Sequence, residues 1–165
     1  MVETGQLAPS ISLMTDDGQF TLSEHIGKNV IIFFFPKADT SGCTKEAVAF
    51  SGLQAEFEAA NTIVIGISKD KAEKQAKFRE KHGLTCLLGA DTEGEVCEAF
   101  GVWVEKSMYG RKYMGIQRAT FIINADGRVG RIWPKVKVPG HAEEVLEHVQ
   151  AGLFPTGLGS YRLPE

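Results

Sequence analysis

The sequence predicts a mixed α/β fold: a central β-sheet with a parallel core, flanked by helices and extended by antiparallel strands. Three observations carry this prediction. Two β-branched and aromatic runs, residues 29–35 and Thr62–Ser68, read as strands buried on both faces, and a helical pattern follows each. Ala119–Ile123 and Val129–Trp133 flank Asn124-Ala125-Asp126-Gly127, a strong antiparallel hairpin signal. Residues 10–14 and 19–22 alternate apolar and polar around Asp16-Asp17-Gly18, which predicts an N-terminal β-hairpin.

The remaining elements follow in order. Ser23 can cap a short turn through His25 and Ile26 that Gly27 ends. From Thr44 to about Ala60, Phe50, Leu53 and Phe57 recur at helical spacing with polar residues between them. Lys71–His82 is rich in Lys, Glu, Gln and Ala, and reads as a solvent-facing helix closed by Gly83. Leu84–Leu88, containing Cys86, reads as a strand, and Glu93–Phe100, holding Cys97, as a short helix. Val102-Trp103-Val104 begins a further element, whereas 105–115, with mixed charge and aromatics, reads as a loop. His141–Ala151 reads as a helix with Val145, Leu146 and Val149 inward. The tail, 153–165, mixes prolines and glycines with Leu153, Phe154, Leu158, Tyr161 and Leu163, and is expected to pack on the body or on a partner. Strand–helix–strand–helix followed by a hairpin and a helix, with a cysteine after the first core strand, is the order a thioredoxin-like fold presents.

At 165 residues the chain predicts one domain, 1–165, with 43% hydrophobic and 24% charged residues typical of a globular protein. A net charge of −3 gives no electrostatic reason to expect nucleic acid or an anionic membrane as partner. The N-terminus has no basic region followed by an apolar stretch, and no apolar run approaches the ~18–20 residues of a membrane span. Three cysteines without repeated spacing do not form a disulfide framework, and the cytoplasm is the expected compartment. His25, His82, His141 and His148 lack metal-ligand spacing, and there is no Cys-x-x-Cys.

Chemistry points to Cys43. An apolar strand breaks at Pro36, crosses a short polar loop, and reaches this cysteine as a helical pattern begins, with Thr40 and Ser41 as natural N-caps. In open α/β sheets, functional groups gather at such strand ends. A free thiol titrates near 8.5, so making thiolate the major form at pH 7 takes about 2–4 kcal/mol. A helix N-terminus supplies ~0.3–1 kcal/mol and up to about 2. The helix alone falls short, so a nearby cation is required.

Pro36-x-x-x-Thr40-x-x-Cys43 resembles the peroxidatic motif of the peroxiredoxins. The run Phe35-Pro36-Lys37-Ala38-Asp39-Thr40-x-Gly42-Cys43-Thr44-Lys45-Glu46-Ala47 is similar to the peroxiredoxin Q subgroup, also called bacterioferritin comigratory proteins. The likeness continues through Tyr109-Gly110, Gly115-Ile116-x-Arg118-x-Thr120-Phe121 and Trp133-x-Lys135-Val136-Lys137-Val138-x-Gly140-His141, most of the chain. Ser41 stands where many members of that family have a second proline.

This resemblance implies a thioredoxin-like fold and a thiol-dependent peroxidase acting on hydrogen peroxide and organic hydroperoxides. It implies no bound cofactor, thioredoxin or a glutaredoxin-like dithiol as reductant, and a monomer or homodimer. Cys43 would be the peroxidatic cysteine, Arg118 its cation, Thr40 the hydroxyl that binds peroxide and thiolate, and Pro36 the shield against water. The resolving thiol of relatives falls at Val48 or Arg79 here, and neither is cysteine. Cys97, beside Glu95 and Glu98, is the possible resolving thiol, with packing as its other reading; Cys86 is expected in the core. If neither serves, the sulfenic acid is reduced by an external thiol. Trp103 and Tyr109 are candidates to line peroxide access. Two rival functions share the fold: a disulfide reductase, disfavoured by threonine rather than cysteine at position 40, and a non-catalytic redox sensor or binding module.

Overall fold

The computed structural model describes residues 2–152. Seven strands form the main sheet in the order β2-β1-β5-β4-β3-β8-β9. At its centre β3 (Asn29–Phe34) runs parallel to β4 (Thr62–Ser68), and β4 runs parallel to β5 (Leu87–Ala90). On one side β8 (Ala119–Ile123) and β9 (Val129–Trp133) add antiparallel. On the other, the hairpin of β1 (Ser12–Thr15) and β2 (Gly18–Thr21) pairs antiparallel with β5. The expected mixed sheet with an N-terminal hairpin is therefore present.

Alternation along β3 divides the core into two layers, because successive side chains point to opposite faces. Ile31, Phe33 and Phe35 face α1 (Ser41–Gly52), α2 (Gln54–Ala59), α3 (Ala72–His82) and α5 (His141–Ala151), through Phe50, Phe57, Phe78 and Val145. Val30, Ile32 and Phe34 face the opposite layer, where α4 (Glu95–Ala99) contributes Val96 and Cys97 beside Phe100 and Phe121. Phe33 stacks on Phe50 with centroids 4.6 Å apart. Its register partner is Gly66, where an added Cβ would fall 2.5 Å from the Phe33 ring. The close approach requires glycine there.

Four expectations shift. The helix expected from Thr44 to Ala60 starts earlier, at Ser41, and breaks at Leu53 (φ −107°, ψ 16°), where the Leu53 N–H turns back to Phe50 O. The strand expected at Leu84–Leu88 pairs only from Leu87, because the Arg79 guanidinium takes the carbonyls of Leu84 and Cys86. Residues 105–115 are not a loop. They fall within β6 (Trp103–Met108) and β7 (Arg111–Ile116), which form a separate two-stranded sheet about Tyr109 (φ 54°) and Gly110 (φ 79°). These consecutive positive φ angles make the two-residue turn that suits a hairpin. Much of the hairpin is exposed, so its residues lack the alternation that burial of one face imposes. The helix expected at Glu93–Phe100 is shorter, Glu95–Ala99. The tail 153–165 lies outside the described residues. Among those described, no helix is long and apolar enough to cross a membrane.

Candidate active site

The loop from Pro36 to Thr40 leaves the carboxyl end of β3 and is fastened at two points. The Ala38 N–H donates to Asp70 Oδ2 (2.7 Å) in the β4–α3 connection. Asp39 takes a left-handed backbone (φ 63°), and its carboxylate meets Lys81 Nζ (3.0 Å) and His82 Nε2 (2.9 Å) at the end of α3. Hydrogen bonds from His82 and Lys81 hold the Asp39 carboxyl below the usual carboxylate range. The loop thereby delivers Cys43 into the first turn of α1, where backbone N–H groups have no intrahelical acceptor.

Arg118 reaches the same point from the other side. It precedes β8, whose Ala119 pairs with Phe34 at the end of β3. Its Nη2 donates to Cys43 Sγ at 3.3 Å, and its Nη1 donates to Glu46 Oε1 at 2.7 Å. Glu46 lies one helical turn beyond Cys43 and is 1% exposed. Burial pushes its carboxyl up to about 7 against the pull of Arg118, and its Oε2 has no hydrogen-bond partner among the described residues. Burial alone would lower the Arg118 pKa, but the charges of Glu46 and Cys43 outweigh it and raise the value. Gly42 leaves room for this arrangement, since an added Cβ would lie 3.2 Å from Arg118 Nη2.

Thr40 and Pro36 take less direct positions. The Thr40 hydroxyl donates to Lys37 O (2.8 Å) and does not cap the helix; the first helical bond runs from Thr44 N–H to Thr40 O. The side-chain cap expected of Thr40 is thus absent, because the rotamer that reaches Lys37 O turns the hydroxyl oxygen away from the first-turn N–H groups. Pro36 is exposed and lines a cleft of about 340 Å³ with Lys69, Trp103, Lys106, Tyr113 and Met114. Lys69 Nζ sits 4.1 Å from the Trp103 ring centroid. Burial and the charge of Arg118 lower the Lys106 pKa, while Cys43 acts to raise it. The cleft wall also includes Ile116, two residues before Arg118. Tyr109 does not line this cleft: it is at the hairpin tip and 98% exposed.

Neither remaining cysteine approaches Cys43. Of the two readings of Cys97, resolving thiol or packing residue, its position suits packing: it is 0% exposed and lies in the opposite core layer from Cys43. Glu95 and Glu98 point outward from α4 while Cys97 points in. Burial, then Asp91, pushes its thiol far above the usual range. A disulfide needs Cα atoms within about 7 Å, and the intact sheet separates the two layers. Cys86 is buried, as expected, and burial pushes its thiol up to about 11. Its neighbour Ser51, whose hydroxyl reaches its sulfur at 3.7 Å, sits at the far end of α1, about 12 Å of helix beyond Cys43. Arg79 is structural: it pairs with Asp16 and holds the carbonyls of Leu84 (2.8 Å) and Cys86 (2.7 Å). Val48 is 45% exposed on α1.

Two residues at the site escape sequence reasoning. Glu46 at three residues from Cys43 was legible from helical spacing, but a glutamate on a helix ordinarily reads as a solvent face. Lys106 fell within a presumed loop. Among the described residues, no group of three or more His, Cys, Asp or Glu side chains could hold a metal ion.

Known proteins resemble this chain over most of its length. The model of the AhpC/TSA family matches residues 4–132. Peroxiredoxin Bcp of Bacillus subtilis is 44% identical over 147 residues, 88% of this chain and 94% of that protein. Peroxiredoxin Bcp of Escherichia coli is 41% identical over 146 residues, with the same two shares, 88% and 94%. Among solved structures, the bacterioferritin comigratory protein of Xanthomonas campestris, studied for alkyl peroxide reduction, superposes with a TM-score of 0.82 at 38% identity, covering 86% of this chain and 91% of that one. A PrxQ variant of Xylella fastidiosa gives 0.84 at 34% identity, covering 92% and 99%.

Proposed function

The chain belongs to the AhpC/TSA family, and from that premise we propose that it is a thiol-dependent peroxidase of the peroxiredoxin Q kind in which Cys43 attacks the hydroperoxide. The observation that carries this reading is the Arg118 guanidinium, held between Cys43 Sγ and the buried Glu46 carboxylate. A hydroperoxide enters by the cleft beside Pro36. The Cys43 thiolate attacks the distal oxygen, the O–O bond breaks, and the electron pair departs on the leaving oxygen, which takes a proton to give water or alcohol. Negative charge moves from sulfur to oxygen during this step. Arg118 and the first-turn N–H groups of α1 are fixed donors along that path, and stabilise the transition state beyond the ground state. With its proton committed to Lys37, the Thr40 oxygen serves as an acceptor for the peroxide O–H. Pro36 at the cleft wall limits water at the sulfur.

The product is a Cys43 sulfenic acid. The burial of Cys86 and Cys97, and their separation from Cys43, favour a one-cysteine cycle in which an external dithiol, thioredoxin or a glutaredoxin-like protein, completes reduction. Peroxide consumption with a thioredoxin system, for the wild type and Cys43→Ser, is the test. Turnover by the wild type and none by the variant is expected; turnover by Cys43→Ser would refute the mechanism.

A further inference from the structure

The base of the β6–β7 hairpin lines the entry cleft, but its tip lies beyond that cleft and forms the most unusual surface among the described residues. The hairpin forms its own sheet and pairs with no other strand of the described residues. A lone two-stranded hairpin is at best marginally stable in water. Four of the eight large apolar side chains exposed in the described residues lie on it: Met108 (55%), Tyr109 (98%), Tyr113 (44%) and Met114 (50%). Clustered exposed apolar groups mark interaction sites. Tyr109 also takes a left-handed backbone (φ 54°), which is unfavourable for a bulky residue and sets its ring at the tip. The hairpin sequence carries Lys106, Arg111 and Lys112 against the single acid Glu105, within a chain of net charge −3.

Its placement identifies the occupant. Lys106, Tyr113 and Met114 at its base line a cleft with Pro36, which opens the loop leading to Cys43, and with Ile116, two residues before the Arg118 that contacts the sulfur. With Cys86 and Cys97 buried, the thiol that reduces the sulfenic acid comes from outside, and the cleft beside Pro36 offers it an approach. We propose that the β6–β7 hairpin is the docking arm for a protein dithiol whose reactive thiol sits in an apolar patch flanked by carboxylates; this rests on the one-cysteine reading above. The partner's thiol attacks the Cys43 sulfur and displaces the hydroxyl as water, giving a mixed disulfide. The partner's second thiol then attacks its own bridged sulfur, leaving a disulfide in the partner and a free thiol at Cys43. Tyrosines supply large contact area at little conformational cost, and the basic side chains steer a carboxylate-rich face toward the cleft.

The test uses substitutions at the tip, away from the cleft: Met108→Ser with Tyr109→Ser, and separately Arg111→Glu with Lys112→Glu. Thioredoxin is the protein dithiol and dithiothreitol the small one. Each pair should lower kcat/KM for thioredoxin roughly tenfold. The dithiothreitol rate and the oxidation of Cys43 by hydrogen peroxide should stay unchanged. The deficit of the charge-reversed protein should shrink at about 0.5 M salt. Unchanged thioredoxin kinetics, or a wild type reduced by dithiothreitol but not by thioredoxin, would overturn the proposal. So would equal losses with both reductants, or a change in sedimentation with thioredoxin kinetics intact, which would assign the arm to a second copy of the chain. Failure of wild-type Cys43 to be oxidised at all would instead overturn the peroxidase reading, and the arm's assignment with it.

Discussion

Replacing Arg118 by alanine removes the one side-chain cation in contact with Cys43 among the described residues. Unit charges 3.3 Å apart attract by about 5 kcal/mol at an effective dielectric of 20. Arg118 also serves Glu46 and is partly desolvated, so the net effect is smaller. Removing one fixed donor from a site that stabilises a migrating anion costs about 3–4 kcal/mol in comparable chemistry. The rate of Cys43 oxidation should therefore fall by about two to three orders of magnitude. The assay is stopped-flow tryptophan fluorescence of the reduced protein mixed with hydrogen peroxide. The substitution also orphans the buried Glu46 carboxyl, and the resulting loss of stability could be mistaken for a catalytic effect. Arg118→Ala combined with Glu46→Gln removes that orphan and should be as slow as the single variant. An oxidation rate within threefold of wild type in either protein would refute the placement of Arg118 in the transition state.

Three further outcomes concern Glu46 and two buried contacts elsewhere in the fold. Because the Glu46 pKa is raised in the folded state, from 4.5 to about 7, the fold binds the proton more tightly than the unfolded chain. Its contribution is present below pH 4.5 and is lost as pH rises to about 7, by roughly 3 kcal/mol; urea titrations of Glu46→Gln should lack that slope, and an identical pH profile would contradict it. His141 is the opposite case: buried and 2.8 Å from Thr120 Oγ1, it is held below its ordinary 6.5 by burial, so its contribution is lost as pH falls below 6.5. The stability difference between wild type and His141→Gln should shrink from pH 7 to pH 5, and a constant difference would show that the histidine is not held neutral. Arg79→Ala strands Asp16 and frees two carbonyls, and should destabilise by about 2–3 kcal/mol while leaving the rate of Cys43 oxidation unchanged; an unaltered denaturation midpoint would be the contrary result.

Which parts of the molecule were legible follows from where burial leaves a mark. Strands β3 and β4 are apolar on both faces, and β8–β9 carries its own turn signal, so all four read directly from sequence. Burial sets no alternation over much of β6–β7, and hydropathy alone made it a loop. Cys43 stood out because a strand end meets a helix start, and the shortfall of the helix dipole required a cation. Arg118, 75 residues away, was found through the family resemblance and not through periodicity. Glu46 stayed hidden because nothing local distinguishes a buried ion-paired glutamate from a solvated one. Cys97 stayed open between two readings for a related reason: flanking glutamates describe the outer face of α4, whereas the cysteine between them points into the core.

The central claim is that Cys43 alone carries the oxidation. Treating the reduced protein with one equivalent of hydrogen peroxide in the presence of a sulfenic-acid trap, followed by peptide mass spectrometry, tests it most directly. The account predicts one trapped adduct, on Cys43, with Cys86 and Cys97 remaining as thiols. A disulfide joining Cys43 to either of them, or an adduct on another cysteine, would contradict it.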